Sequence, residues 1–172
     1  MLKKVSFFTT LLLFLTACSS KEQPKPLPIP LPQKKQAINY TLHKQNFVTQ
    51  QLFSAYKKWA GTHYCYGGEN TKGIDCSALV QKIYKEAFNM DIPRTTKEQI
   101  KIGYKVSKSN LQEGDILFFK TSYKTLHSGI YLERGYFIHT SSKKGVTIST
   151  IHNPYWRAKY YQARRVLPSL RI

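Results

Sequence analysis

One cysteine in the chain combines a reactive side chain with a position that activates it. Cys76 lies in KGIDCSALVQKIY, residues 72–84, where apolar residues at three- and four-residue spacings predict an amphipathic helix. Asp75 is a suitable N-cap, so the thiol falls in the first turn, where unpaired backbone N–H groups and the helix dipole favour a thiolate. Cys76 is therefore a candidate nucleophile, and a packing cysteine is the alternative.

Two histidines are placed to serve this thiol. A thiol nucleophile needs a general base, and the base needs a group that orients it. His127 opens the strand-like run HSGIYLE, and His139 comes late in GYFIHTS. Because side chains alternate along a strand and the short LERGY turn joins the two runs, both histidines are predicted on one face of a sheet. We further expect the Cys76 helix to pack across that face and bring its N-terminus to His127. A single strand histidine is more often structural, whereas this combination favours a catalytic set.

Helical patterns precede strand patterns in the part of the chain that holds these residues. Helices are predicted in NFVTQQLFSAYKKWAG, from Cys76 to about Asn89, and in TTKEQIKIG with Thr95 as N-cap. The β-prone runs that follow are GDILFFK, SGIYLE, GYFIHTS, GVTISTI and YQARRVL. Helices first and strands afterwards predict an α+β domain with an antiparallel sheet, not repeated βαβ units.

The N-terminal residues predict an export signal. Residues 1–17 join two lysines to an apolar run of about eleven residues, which predicts a secretory signal peptide. The following LTAC, residues 15–18, resembles a bacterial lipobox and predicts lipid on Cys18. Ser19 and Ser20 favour the outer membrane, with the domain facing the periplasm. The alternative is an ordinary exported protein in which Cys18 merely follows the signal.

Residues 18–45 are predicted to be the lipidated cysteine and a linker. Proline occupies every second position from 24 to 32 in KEQPKPLPIPLPQKKQ, which favours an extended polyproline II spacer. A ligand for a proline-recognising domain is the alternative. The folded domain is then expected over residues 46–168.

The charge of the chain restricts its partners. Lys and Arg number 27 against 9 Asp and Glu, a net charge of +18, which attracts anions. With an export signal, the expected polyanions are peptidoglycan and lipid phosphates; nucleic acid is not expected, since no helix-turn-helix, zinc-finger or RNP pattern is found. A basic surface that only aids solubility is the alternative. A monomer is expected.

Successive blocks of the predicted domain resemble the NlpC/P60 family of papain-like cell-wall peptidases. The blocks are GTHYCYGG, KGIDCSALVQ, IPRTTKEQ, LQEGDILFF, LHSGIYL, YFIHTSSKKGVTIS and NPYWRAKYYQARRVL. The resemblance implies a papain-like α+β domain with N-terminal helices packed on an antiparallel sheet and the nucleophile at a helix N-terminus. It implies Cys76 as nucleophile, His127 as general base and His139 as the group that orients it. Tyr64 matches the tyrosine beside the thiol and would help the Cys76 N–H to stabilise the oxyanion.

The resemblance also assigns residues around the nucleophile. Asp75 and Ser77 would shape the helix start and the substrate groove. Arg94 matches a Pro-Arg block, where a structural salt bridge and the binding of a substrate carboxylate are equally favoured.

Three positions set the chain apart. Ala78 stands where the family usually has glycine, and Leu126 where it often has arginine, which puts one close contact and one substrate contact in question. Cys65 lies between two tyrosines in an extended run. It is expected to face away from the site as a free thiol, with a disulfide to Cys76 as the less favoured alternative.

These observations predict a peptidoglycan endopeptidase that works by a Cys-His-His mechanism. No cofactor is expected, and no metal, because the cysteines and histidines show no zinc-ligand spacing. The predicted scissile bond is the D-Ala–diaminopimelate cross-link, with the γ-D-Glu–diaminopimelate bond as alternative. A non-catalytic murein-binding lipoprotein and a papain-like acyltransferase or thioesterase are the rival classes.

Overall fold

The computed structural model describes residues 47–167 of the chain, and the predicted signal peptide, Cys18 and the linker lie outside these residues. The helices are α1 (Phe47–Trp59), α2 (Cys76–Phe88), α3 (Thr96–Gln99) and α4 (Pro154–Lys159), with a 3-10 turn at Lys108–Asn110. The strands are β1 (Glu69–Asn70), β2 (Gly73–Ile74), β3 (Tyr104–Val106), β4 (Ile116–Lys120), β5 (Leu126–Tyr131), β6 (Tyr136–Ser141), β7 (Gly145–Thr150) and β8 (Tyr160–Arg165). Among residues 47–167, none of the helices has the length and apolar character needed to cross a membrane.

The six longer strands form one antiparallel sheet in the order β3-β8-β4-β5-β6-β7. Strands β4 to β7 are a meander, β8 returns beside β4, and β1 and β2 form a separate small hairpin. The predicted α+β class is confirmed. Strand β3 and helix α4 were not predicted, because one is three residues long and the other six, too short to show a period.

Two apolar layers cover the two faces of the sheet. On one face, α1 and α2 pack through Leu52, Leu79, Val80 and Ile83 onto sheet residues that include Phe118, Ile130 and Ile138. The other face carries Leu117, Phe119, Phe137 and Ala163, against which Trp156 of α4 packs.

The position of α2 corrects the sequence-based expectation. The rings of His127 and His139 lie with Trp156 on the α4 side of the sheet, so α2 does not pack across the histidine face. Side chains alternate along the strands, so Ile130 and Ile138 point to the other face, where they belong to the apolar layer that receives α2.

The N-terminus of α2 nevertheless reaches the strands that carry the histidines. The pairing of β5 with β6 is confined to Ile130↔Ile138 and Tyr131↔Phe137, so the ladder stops short of the histidines. Beyond that point, the Thr140 hydroxyl of β6 donates a hydrogen bond to the Asp75 carbonyl oxygen at 3.5 Å. The end of the ladder is therefore where the start of α2 meets the sheet.

Candidate active site

Cys76 is the first residue of α2, as predicted. The Asp75 side chain caps the helix by accepting a 2.7 Å hydrogen bond from the Ala78 backbone N–H. Cys76 is 9% exposed, and its Sγ lies 3.9 Å from the Thr96 hydroxyl oxygen. The thiol is thus held at a helix N-terminus with little contact with water, and Ala78 lies fully buried two residues further on.

Arg94 holds the capping residue in place. Its guanidinium binds both carboxylate oxygens of Asp75, with Nη1–Oδ1 at 3.1 Å and Nη2–Oδ2 at 2.8 Å. The remaining contacts are Nε to Glu69 at 2.6 Å, Nη1 to Ser77 Oγ at 3.1 Å and Nη2 to the Gly68 carbonyl at 3.5 Å. An arginine has five N–H donors, and all five are used here. The geometry favours the structural alternative for Arg94, because no donor is left for a substrate carboxylate in this arrangement.

The same network keeps Asp75 ionised. Burial opposes ionisation, but hydrogen bonds from Arg94, the Ala78 N–H and the Ser77 hydroxyl outweigh it and lower the pKa of the Asp75 carboxyl. Asp75 and Ser77 are both buried. Both lie at the helix start and take part in its capping hydrogen bonds, and their role in the substrate groove stays a prediction.

The two predicted histidines lie side by side. His127 Nε2 is 3.1 Å from His139 Nδ1, and His139 Nε2 is 2.9 Å from the Ser149 hydroxyl oxygen of β7. This pairing leaves Nδ1 of His127 as the ring nitrogen available to a thiol. Within residues 47–167 no hydrogen bond joins Cys76 to His127 directly, so the structure brings the histidines together without closing the contact to the thiol.

Both imidazoles are neutral at neutral pH. Burial lowers the pKa of His127 to about 4. Burial, together with the neighbouring His127, lowers the pKa of His139 to about 3. A neutral His127 is the form that can accept a proton from a thiol.

Trp156 covers the histidine pair. Its ring stacks on His127, with centroids 5.3 Å apart and planes at 25°, and meets His139 edge-on at 4.8 Å. Asn153 caps α4 by accepting from the Tyr155 N–H, and Pro154 lies in the first turn. Trp156 was not among the residues predicted for the site, because α4 is only six residues long, although an Asn-Pro pair is a known helix-start signal.

Gly129 allows the histidine strands to approach. A Cβ at this position would lie 2.6 Å from the Ile138 carbonyl oxygen and 2.8 Å from the Phe137 ring. No other residue type has room there. Steric crowding therefore explains why the HSGIY block has a glycine at this position.

Tyr64 lies beside the start of α2. An isolated bridge pairs it with Ile74, the residue that precedes Asp75. Burial, followed by the charges of Cys76 and Asp75, raises the pKa of the Tyr64 phenol, so it stays protonated and can donate. Cys65 is exposed, and both it and Cys76 are free thiols, so the alternative of a disulfide is not realised.

A fold with helices on an antiparallel sheet, a helix-start cysteine and a histidine pair on adjacent strands is the papain-like arrangement. The NlpC/P60 family model matches residues 61–165, and the chain belongs to that family. The murein DD-endopeptidase MepS/murein LD-carboxypeptidase of Escherichia coli K12 is 42% identical over 120 residues, 70% of this chain and 64% of that protein. The matched region thus spans just under two thirds of that relative.

Two further relatives support the assignment. A Haemophilus influenzae protein named "Probable endopeptidase" is 36% identical over 167 residues, which cover 95% of this chain and 98% of that protein. The crystal structure of an NlpC/P60 family protein from Bacillus cereus has a TM-score of 0.63 and 31% identity over 70% of this chain and 40% of that one. Sequence and fold agree on the family.

Proposed function

We propose that the protein is a peptidoglycan endopeptidase that hydrolyses a peptide bond in stem peptides or cross-links by a Cys-His-His mechanism. The observation that carries the proposal is the His127–His139 pair, which commits Nε2 of His127 and leaves its Nδ1 for the thiol. The thiol in question is that of Cys76, at the start of α2. The name of the E. coli relative supplies the substrate class.

In the first half of the reaction, His127 Nδ1 takes the thiol proton and the Cys76 thiolate attacks the peptide carbonyl carbon. The Cys76 backbone N–H and the Tyr64 hydroxyl donate to the oxyanion. His127 then gives its proton to the departing amine as the C–N bond breaks, which leaves a thioester.

Water completes the cycle. His127 takes a proton from water as the water oxygen attacks the thioester, the C–S bond breaks, and His127 returns that proton to the sulfur. The products are a free carboxylate and the regenerated thiol, and the chemistry requires no cofactor.

We propose the D-Ala–diaminopimelate cross-link as the scissile bond, on the strength of the DD-endopeptidase activity named for the E. coli relative. Cleavage of the γ-D-Glu–diaminopimelate bond is the alternative. The test incubates full-length protein, purified in detergent, with peptidoglycan and identifies the released fragments by mass spectrometry. Cross-linked dimers that become monomers support the first bond, and shortened stems support the second. An unchanged muropeptide profile, identical for wild type and Cys76→Ala, refutes a peptidase.

We also propose that lipid on Cys18 anchors a monomer to the outer membrane, with the domain in the periplasm. The lipobox-like LTAC at residues 15–18 and the alternating prolines support this location. Metabolic labelling with a fatty acid is expected to mark wild type and not Cys18→Ser. Equal labelling of the two would exclude Cys18 as the site of lipidation.

A further inference from the structure

The hydrogen-bond chain that joins His127 to His139 continues beyond His139. The Nε2 of His139 lies 2.9 Å from the hydroxyl oxygen of Ser149. Thus a continuous line of polar atoms runs from His127 through His139 to Ser149. Ser149 has no signal in the sequence, because a serine in a strand is common and belongs to no motif.

The sheet holds Ser149 rigidly in this position. The ladder between β6 and β7 runs over six consecutive pairs, in which Phe137 faces Ser149 and His139 faces Thr147. Because paired residues share a face, Ser149 lies on the same side of the sheet as the histidine pair. Backbone register, as well as the 2.9 Å distance, therefore places Ser149 beside His139.

The direction of this hydrogen bond decides which tautomer His139 adopts. A neutral imidazole has one N–H and one acceptor nitrogen. If Nε2 of His139 donates to Ser149, then Nδ1 of His139 is an acceptor. His127 must then carry its hydrogen on Nε2 and donate it to His139. Nδ1 of His127 is left free to take the thiol proton. In the opposite tautomer, His139 donates to His127, and the hydrogen of His127 moves to Nδ1, where it blocks the base.

His139 is only 1% exposed, and the Ser149 hydroxyl is the hydrogen-bond partner of its Nε2. Without Ser149, a buried Nε2–H would lose its acceptor, which is costly, and the competing tautomer would gain population. We propose that Ser149 is a positioning residue that accepts from His139 and thereby holds both histidines in the tautomers that general-base catalysis needs. This proposal rests on the proposed peptidase function, in which His127 is the base.

The first test is kinetic. Ser149→Ala is expected to lower kcat for peptidoglycan cleavage about tenfold with little change in KM, because the tautomer affects proton transfer and not substrate binding. Ser149→Thr keeps the hydroxyl and is expected to stay within about threefold of wild type. Thr147→Ala is the matched control, since it removes a hydroxyl from the same face of β7 that makes no hydrogen bond among residues 47–167. Equal activity of Ser149→Ala and Thr147→Ala would overturn the proposal.

The second test needs no substrate. In protein labelled with ¹⁵N-histidine, the wild type is expected to show His139 and His127 each with a protonated Nε2 and an unprotonated Nδ1. Ser149→Ala is expected to show mixed tautomers, and Ser149→Thr to restore the wild-type pattern. A protonated Nδ1 on His139 in the wild type would refute the role of Ser149. If the protein cleaves no peptidoglycan but the tautomers respond as stated, the proposed function has failed and the positioning role stands.

Discussion

Arg94 binds both carboxylate oxygens of Asp75, the residue that caps the helix beginning at Cys76. The position of the proposed nucleophile therefore depends on an ion pair that is largely shielded from water, with 28% of the Arg94 side chain and 12% of the Asp75 side chain exposed. The chain has one other arrangement of this type within residues 47–167, in which Arg165 binds both carboxylate oxygens of the buried Asp115. The first pair secures a helix start, and the second joins β8 to the start of β4.

Replacing Arg94 with alanine is expected to destabilise the domain by about 2 kcal/mol and to lower activity, because Asp75 would remain buried without its counter-charge. Urea unfolding at pH 7 measures the loss. Lys85→Ala is the control, since it breaks the exposed Lys85–Asp91 pair at 2.8 Å and should cost under about 1 kcal/mol. Unchanged stability of Arg94→Ala with a raised KM would instead favour the carboxylate-binding role.

The buried histidines make stability depend on pH. In the folded state the pKa is about 4 for His127 and about 3 for His139, below the ordinary 6.5. Between these values and 6.5 the unfolded chain binds more protons, so stability is fully present above pH 6.5 and is lost as pH falls towards 4. Each histidine contributes a slope of up to about 1.4 kcal/mol per pH unit.

The measurement compares urea unfolding at pH 7.0 and 5.0. Wild type should lose more free energy of unfolding over this range than His127→Asn or His139→Asn, since each variant lacks one of the titrating groups. The lowered pKa of Asp75 does not mask the effect, because it lies below the ordinary carboxyl value and acts at lower pH. If all three proteins lose the same free energy of unfolding, the two histidines are not buried in their neutral form.

The sequence predicted α1, α2 and five sheet strands because each has apolar residues at a clear period. It also predicted the start of α3, where Thr95 and Glu98 form a capping box. It predicted that the histidines share a sheet face, since the alternation of side chains is local.

What the sequence did not predict depends on contacts between distant segments. The face of the sheet that receives α2 is chosen by the whole apolar layer, and periodicity alone does not identify it. The full use of the Arg94 donors requires Gly68, Glu69 and Asp75 to converge on one side chain. The alternation rule could have placed Ser149 beside the histidines only once the β6–β7 register was known.

Trp156 is expected to control the acidity of the histidine pair. Trp156→Ala admits water to the stacked face of His127 and should raise its pKa from about 4 towards 6.5, because burial is what lowers it. NMR titration of the imidazoles measures this shift directly, and the acid limb of kcat/KM should move to higher pH with it. Trp59→Ala is the control: this second tryptophan packs on the opposite face of the sheet, so it should lower stability without moving the histidine pKa. Equal shifts in the two variants would show a general loosening instead.

Gly129→Ala is expected to damage the site by steric means alone. The added Cβ would lie 2.6 Å from the Ile138 carbonyl oxygen and 3.2 Å from the His139 Cβ, so β5 and β6 must move apart. Overpacking of this kind costs about 1 to 3 kcal/mol, and the displacement should also lower kcat by weakening the 3.1 Å contact between His127 and His139. Ser128→Ala is the matched control on the same strand, because the buried Ser128 hydroxyl has no hydrogen-bond partner among the described residues and its removal should be neutral or stabilising. Urea unfolding and murein cleavage are measured on both variants. A stable, fully active Gly129→Ala would mean that β5 and β6 can accommodate a Cβ at this position, and steric crowding would not explain the glycine.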